Sequence, residues 1–517
     1  MSFQKGKTTE LEIIDLAFGG MGIAKPDGFP VFIDRTLPGD RVKARITKKK
    51  KNYAEGVVIE LIQPSSLRQK ALCAYADHCG GCRWQALPYN EQLKYKRQHV
   101  IDSLEHIGLL KDILVKDVIP SEEIFGFRNK MEFSCSDRRW LTAEELENPE
   151  IKKDFGLGLH VPGTFDRIID IEKCLIQPDI GNQILSDIRQ YIKDSGVPAY
   201  NLKTHEGFWR FVMLRSSKAF GNWMVNFVTK QQNDQLLIPL ANQLMKKYPA
   251  VTSVVNNVTA RKASIATGEY EKVLAGERCI KEKLGEFIFE ISANSFFQTN
   301  TKGAETLYSL VSTYADLSGN DHLRDKESID GKKINCGKKH VIDLYSGTGT
   351  IPIWLSKDAG CVTGIEIVQS AVEDARKNAA LNNIQNCNFY VGDIKDVLPS
   401  ILSEYKITAD SNRYEVSVES AKRVSEIIGV SISDKKCSTK IDVMIIDPPR
   451  AGMHKDVVEQ VIALAPKRIV YVSCNPATLA RDLAMLKSNY KVVEVQPVDM
   501  FPHTFHIESV ALLEAMR

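Results

Sequence analysis

Residues 5–62 alternate apolar and polar positions over short runs, LEIIDLA, GMGIAKP, FPVFIDR, DRVKARITK and AEGVVIELIQ, broken by Gly, Pro and Asp. Period-two alternation between turn residues predicts five strands closing into a small OB-like barrel. After Pro64 the pattern changes. A cysteine-rich loop over 73–82 precedes YNEQLKYKRQHVIDSLEHIG, an amphipathic helix. Residues 115–290 mix predicted strands (RNKMEFSC, FGLGLHV, RFVMLRSS, NWMVNFVT, SVVNNVT) with predicted helices (IGNQILSDIRQYIKDSG, DQLLIPLANQLMKKY), an α+β pattern. From about 296 onward, continuous apolar strands alternate with helices, which predicts a parallel sheet. The chain thus divides into a barrel (1–62), a middle domain (63–290) and an α/β domain (291–517). Two polar stretches, 317–338 and 402–440, read as surface insertions, the first lacking the composition of a packed segment.

Composition refines this picture. The 517 residues, 43% hydrophobic, support several ordinary domains. The opening MSFQKGKTTE has no apolar h-region and no run reaches membrane-spanning length, so the chain is expected in the cytoplasm and not in a membrane. Net charge is only +3, but RVKARITKKKK (41–51) concentrates seven cations without an acid. That run is either a solvated strand face or a phosphate-contacting surface. Eleven cysteines in such a chain read as ligands, nucleophiles and core residues rather than disulfides.

Three of them, Cys73, Cys79 and Cys82 in CAYADHCGGC, cluster within ten residues, and the two glycines let the loop fold around a metal. A four-ligand site needs one more thiolate, and Cys135 and Cys174 are the nearest candidates. Spacing does not separate a four-iron cluster from zinc.

The α/β third carries the clearest chemistry. HVIDLYSGTGTIPIWLS reads as strand, glycine turn and helix, with Gly347 and Gly349 permitting a sharp turn at the strand's carboxyl end. A dinucleotide fingerprint would place its third glycine at 352, where the residue is Pro, so a pyrophosphate ligand is disfavoured. CVTGIEIV ends in Glu366, spaced to accept ribose hydroxyls, while Asp343, Asp393 and Asp447 of DVMIIDPPR fall at matching strand ends. Acids without a phosphate cradle suit a cationic, unphosphorylated nucleoside, a description that S-adenosyl-L-methionine meets.

RIVYVSC delivers Cys474 to the same sheet edge, with Asn475 as helix cap and Pro476 at the first helical position. A thiol beside a helix N-terminus is expected to favour the thiolate, although a packed strand cysteine is the competing reading. Glu508 lies downstream, near His503 and His506. A thiolate, a carboxylate and a methyl donor together suggest methylation of a pyrimidine at C5, with addition at C6 making C5 nucleophilic.

SCNPATLARD, DPPRAG, FFQTN, FPHTFHIES and FGFRNKMEFS together resemble the RNA uracil-C5 methyltransferase family, most closely its iron-sulfur, 23S ribosomal RNA-modifying branch. The resemblance covers most of the chain. It implies a Rossmann-like class I methyltransferase domain behind a TRAM-type barrel, acting as a monomer on ribosomal RNA. It also implies Cys474 as nucleophile, Glu508 as the base for the C5 proton, and cofactor contacts at Gln298, Tyr345, Glu366 and Asp447. For the cysteine loop it implies a 4Fe-4S cluster on Cys73, Cys79, Cys82 and Cys174. The same chemistry on a transfer RNA uridine, and a non-catalytic zinc-containing RNA-binding protein, are the alternative readings.

Overall fold

The computed structural model describes residues 3–263, 265–317, 339–398 and 441–516. The expected insertions at 317–338 and 402–440 lie, apart from Leu317, outside the described residues.

The N-terminal sheet has six strands rather than the expected five, because LEIIDLA splits into Thr8–Glu12 and Asp15–Leu16. The chain changes partner there. Thr8–Glu12 pairs with Arg41–Lys49, whereas the Ile14 N–H donates to the Ile23 carbonyl at 2.8 Å. Within Arg41–Lys49, Val42, Ala44 and Ile46 are buried, and Arg41, Lys43, Arg45, Lys48 and Lys49 form the exposed face. The basic run is therefore the solvent side of a strand.

A second sheet spans the middle of the chain, in the order Tyr270–Gly276, Val251–Val258, Trp223–Thr229, Trp209–Ser216, Lys130–Ser136, Gly156–His160, Ile168–Asp170 and Arg139–Trp140. Helices Asp179–Ser195 and Asp234–Lys247 cover it and share its apolar core.

The third sheet runs Cys387–Val391, Cys361–Glu366, His340–Leu344, Val443–Ile446, Arg468–Ser473, Glu508–Ala515, Tyr490–Val498 and Leu114–Val115. Its first five strands are parallel, and Glu508–Ala515 enters antiparallel between Arg468–Ser473 and Tyr490–Val498. Both faces are covered, which explains the unbroken apolar runs. Val341, Val443, Ile445, Val470 and Val472 pack into a core shared with helix Thr301–Ala315. Ile342, Leu344, Met444, Ile446 and Tyr471 face the opposite layer with helices Lys455–Leu464, Pro476–Leu486 and Tyr89–His106. The Leu114–Val115 strand and the Tyr89–His106 helix come from earlier in the chain and brace this sheet's far edge. No helix among the described residues is long and apolar enough to cross a membrane.

Candidate active site

Every parallel strand of the third sheet ends on the same side, and there a cavity of about 1840 Å³ opens. Gln298, Tyr345, Glu366, Asp447, Cys474 and Glu508 all line it, so six residues spread over 211 positions converge on one space.

The glycine turn forms as its sequence predicts. Gly349 sits at φ +79° ahead of helix Thr350–Leu355, and a Cβ there would approach Ala375 Cβ to 2.8 Å. Glu366 holds the turn directly: Oε2 accepts the Gly347 N–H at 3.0 Å and Oε1 the Val368 N–H at 2.9 Å. Tyr345 adopts φ +68° between strand and turn, and burial, then Asp482 and Asp393, push its hydroxyl up to about 12. Asn129 fixes the Gln298 segment from the middle sheet, its Nδ2 donating to the Gln298 carbonyl and to Thr301 Oγ1, both at 2.9 Å.

The cavity is unbalanced toward acid. Asp343 is 1% exposed, and neither of its carboxylate oxygens has a hydrogen-bond partner among the described residues. Burial, then Asp447 and Glu366, raise it well above the usual carboxylate range. Burial also pushes Asp447 up to about 7. Unpartnered buried carboxyls are costly, and a cationic nucleoside placed among them supplies both donors and countercharge. The donor set therefore fits S-adenosyl-L-methionine, with Gln298, Tyr345, Glu366 and Asp447 as the residues that would hold it.

Cys474 follows strand Arg468–Ser473, and the Asn475 side chain caps helix Pro476–Leu486 by accepting the Ala477 N–H at 3.1 Å. The local prediction holds, but its electrostatic consequence is opposed. Burial, then Glu508, push the thiol up to about 11, with Asp447 adding to the rise and Arg450 opposing it. Lost hydration and the two carboxyls act against the thiolate that the helix terminus was expected to favour. Glu508 is 5% exposed, and burial followed by Asp447 lifts its carboxyl well above the usual range, again opposed by Arg450.

Arg450 is the residue that sequence reasoning left without a role. DPPRAG carried the signal, and the length of SCNPATLARD has a structural cause: it latches that loop. Asn475 Nδ2 and Thr478 Oγ1 donate to the Arg450 carbonyl at 3.2 and 3.3 Å, and Arg481 Nη2 donates to the Ala451 carbonyl at 3.0 Å. Asp482, fully buried, accepts from Tyr471 Oη at 2.5 Å and from the Met453 N–H at 2.8 Å.

The two histidines separate. His506 lines the cavity, while His503 stacks on Phe125 at 4.5 Å and is clamped by Gln92, whose Oε1 accepts the His503 N–H at 2.8 Å. Burial lowers both imidazoles to about 4, leaving them neutral at pH 7.

The cysteine loop lies outside this cavity. Cys73, Cys79, Cys82 and Cys174 are free thiols close enough to act on one another: after burial, Cys174 is the largest influence lifting Cys82 to about 12, and Cys79 and Cys73 help lift Cys174 to about 11. Cys135 is raised by burial alone. Cys79, Cys135 and Cys174 all belong to the core of the middle sheet, and of the last two only Cys174 is influenced by the loop thiols. Among the described residues, no three His, Cys, Asp or Glu side chains are grouped as a site for a metal ion. Two residues beyond the loop, the Trp84 N–H donates to the His503 carbonyl at 2.9 Å, and two residues beyond Cys174 the Ile176 carbonyl accepts the N–H of cavity-lining Arg128 at 2.8 Å.

Residues 332–516 match the tRNA (uracil-5-)-methyltransferase family, and residues 2–59 match the TRAM domain. An uncharacterized RNA methyltransferase of Chlorobaculum tepidum is 37% identical over 99% of this chain and 97% of its own length. One from Bacteroides thetaiotaomicron is 37% identical over 96% and 100%. Among solved structures, the Pyrococcus abyssi tRNA (uracil-54, C5)-methyltransferase in complex with S-adenosyl-L-homocysteine superposes with a TM-score of 0.68 at 28% identity, covering 98% of this chain and all of that one. A TRAM barrel, a parallel sheet with an acid-lined cavity at its carboxyl edge, and these relatives agree: the chain belongs to the S-adenosyl-L-methionine-dependent RNA uracil-5 methyltransferases.

Proposed function

We propose that this chain methylates C5 of a uridine in 23S ribosomal RNA, with Cys474 as nucleophile and Glu508 as base. The observation that carries the chemistry is the entry of Cys474 and Glu508 from adjacent strands into one cavity with Asp447 and Arg450. Bound S-adenosyl-L-methionine supplies the methyl group as an electrophilic sulfonium. Cys474 loses its thiol proton to solvent, Sγ adds as the thiolate to C6 of the extruded uracil, and the displaced C5–C6 electron pair makes C5 nucleophilic. After C5 is methylated, Glu508 takes the C5 proton, and the returning pair restores the C5–C6 double bond as Sγ leaves. Arg450 offsets the two carboxyls and so favours the thiolate when it is needed.

Choice of ribosomal RNA rests on the cysteine quartet, the feature by which this sequence resembles the iron-sulfur branch. Cys73, Cys79, Cys82 and Cys174 would hold a 4Fe-4S cluster, whose ligands surround a larger body than a single ion. Bound there, it would tie the loop to Cys174 and so hold the segments at Trp84 and Ile176 that meet His503 and Arg128. Transfer RNA is the second reading, favoured by the likeness to an enzyme named for uracil 54 of tRNA. Mass mapping of ribosomal and transfer RNA from a deletion strain decides between them: a 5-methyluridine missing from 23S RNA is expected, and one missing only from tRNA overturns the choice.

A further inference from the structure

A second cavity, of about 660 Å³, lies in the middle sheet and shares no lining residue with the first. Its charge is one-sided. Arg138, Arg139, Lys153, Arg167, Lys203 and Arg210 line it; Lys203 is paired with Asp166 at 2.8 Å and Arg139 with Glu145 at 2.5 Å, while Arg138, Lys153, Arg167 and Arg210 form no ion pair among the described residues. Arg138, Lys153, Arg167 and Lys203 are exposed at its rim. Arg210 lies deeper, 2% exposed, and is held by carbonyls instead of carboxylates: Nη1 donates to Thr259 and Arg261 at 3.0 and 2.6 Å, and Nη2 to Ala263 at 2.7 Å. Its charge is therefore not neutralised by those bonds.

Aromatic and polar groups complete the walls. The Arg210 guanidinium lies 4.2 Å from the Tyr200 ring centre, and Trp140 and Phe211 line the same space. Arg139 Nε, Arg210 Nε and His160 Nδ1 are buried without a hydrogen-bond partner among the described residues. Clustered unmet polar atoms in a cationic hollow are what a missing polyanionic partner leaves behind. Cations interleaved with aromatic faces are the means by which proteins hold single-stranded nucleic acid.

The cavity is tied to the active site by one strand. Lys130–Ser136 starts two residues after Arg128, which lines the first cavity, and ends with Ser134, Cys135 and Ser136 in the wall of the second. At about 3.3 Å per residue, Arg128 and Ser134 are separated by about 20 Å. We propose that this second cavity is an RNA subsite, taking successive phosphates and a base of a single-stranded segment flanking the target uridine. This rests on the RNA-methylating reading above, which names no residue here.

The test uses the full chain carrying Arg138→Glu, Lys153→Glu and Arg167→Glu together, the three exposed rim cations that form no ion pair among the described residues. Binding of a labelled single-stranded RNA is followed by anisotropy across a salt series, with S-adenosyl-L-homocysteine affinity as the folding control. Three lost phosphate contacts are expected to weaken RNA binding at least about tenfold and to lower the salt slope by about 2. Unchanged affinity and slope overturn the proposal. If the triple variant loses its S-adenosyl-L-homocysteine affinity, Arg167→Glu alone, at an exposed position, is read by the same criteria with a slope change of about 0.7. In the wild type, 4-thiouridine RNA is expected to crosslink to peptides containing Trp140 or Tyr200, and crosslinks confined to the barrel and the Cys474 cavity count against the subsite. Neither measurement needs methyl transfer. RNA bound here but never methylated fails the functional reading alone, whereas methylation with an unaltered slope fails the subsite alone.

Discussion

Cys474 and Glu508 face each other across two antiparallel neighbours. Ser473 pairs with Ser509, so the next residue on one strand meets the preceding residue on the other, at the sheet's carboxyl edge. This register brings nucleophile and base to one cavity although 33 residues lie between them.

Their separate roles are resolved by substitution. Cys474→Ala is expected to abolish both methyl transfer and the covalent RNA adduct. Glu508→Gln is expected to slow turnover about 10²–10⁴-fold while the methylated adduct accumulates, since only proton removal is blocked. Denaturing gels with labelled RNA read both, and an adduct in the Cys474→Ala protein would refute the assignment.

Activity is expected to rise with pH from neutral into the alkaline range. The Cys474 thiol is pushed up to about 11 and Glu508 well above its ordinary value, and both must lose a proton to act. Arg450→Met removes the group that opposes both shifts, so the rising limb of kcat/KM moves to higher pH. A limb that stays in place would separate Arg450 from the reacting groups.

Asp447 carries a stability cost that the cofactor relieves. Its folded value is raised, so the neutral form fits the fold, and the penalty grows as pH climbs from about 4 through about 7. The rise from 3.8 to about 7 corresponds to roughly 4 kcal/mol at most. Asp447→Asn is expected to raise the Tm of the cofactor-free protein at pH 8 and to change it little at pH 4. It should also weaken S-adenosyl-L-methionine more than S-adenosyl-L-homocysteine, whose thioether sulfur carries no charge. Equal losses for the two ligands would show that Asp447 does not meet the sulfonium charge.

Lys96 and Asp499 form an ion pair at 2.6 Å with both side chains fully buried, joining helix Tyr89–His106 to the segment that leads into Glu508. Lys96→Met is expected to cost about 3–5 kcal/mol, because the Asp499 charge is left buried and unpaired. Adding Asp499→Leu should recover much of that loss in thermal melts. Activity need not follow, since the pair also positions the Phe501 carbonyl, which Lys96 Nζ meets at 3.1 Å.

For the cysteine quartet, anaerobically purified protein is expected to be brown. Cys174→Ser should lose the colour and Cys135→Ser keep it, as only Cys174 stands with the loop thiols. A colourless wild-type protein with bound zinc would replace the cluster reading with the zinc alternative.

Local chemistry made much of this protein legible in advance. Apolar alternation marked the barrel, continuous apolar runs marked the parallel strands, and glycine, cap and proline positions marked the turns before Thr350 and Pro476. Those signals depend on neighbours a few residues away, and so the sequence alone determines them. The sheet-edge acids were visible for the same reason, since a strand's end shows in its own pattern. Tertiary structure alone decided the rest. Splitting of the LEIIDLA strand depends on which partner it meets, at Arg41–Lys49 or at Ile23. The electrostatics of Cys474 show the same division: a helix terminus is a local feature, but desolvation and the fields of Glu508 and Asp447, which raise the thiol, come from packing and from other strands.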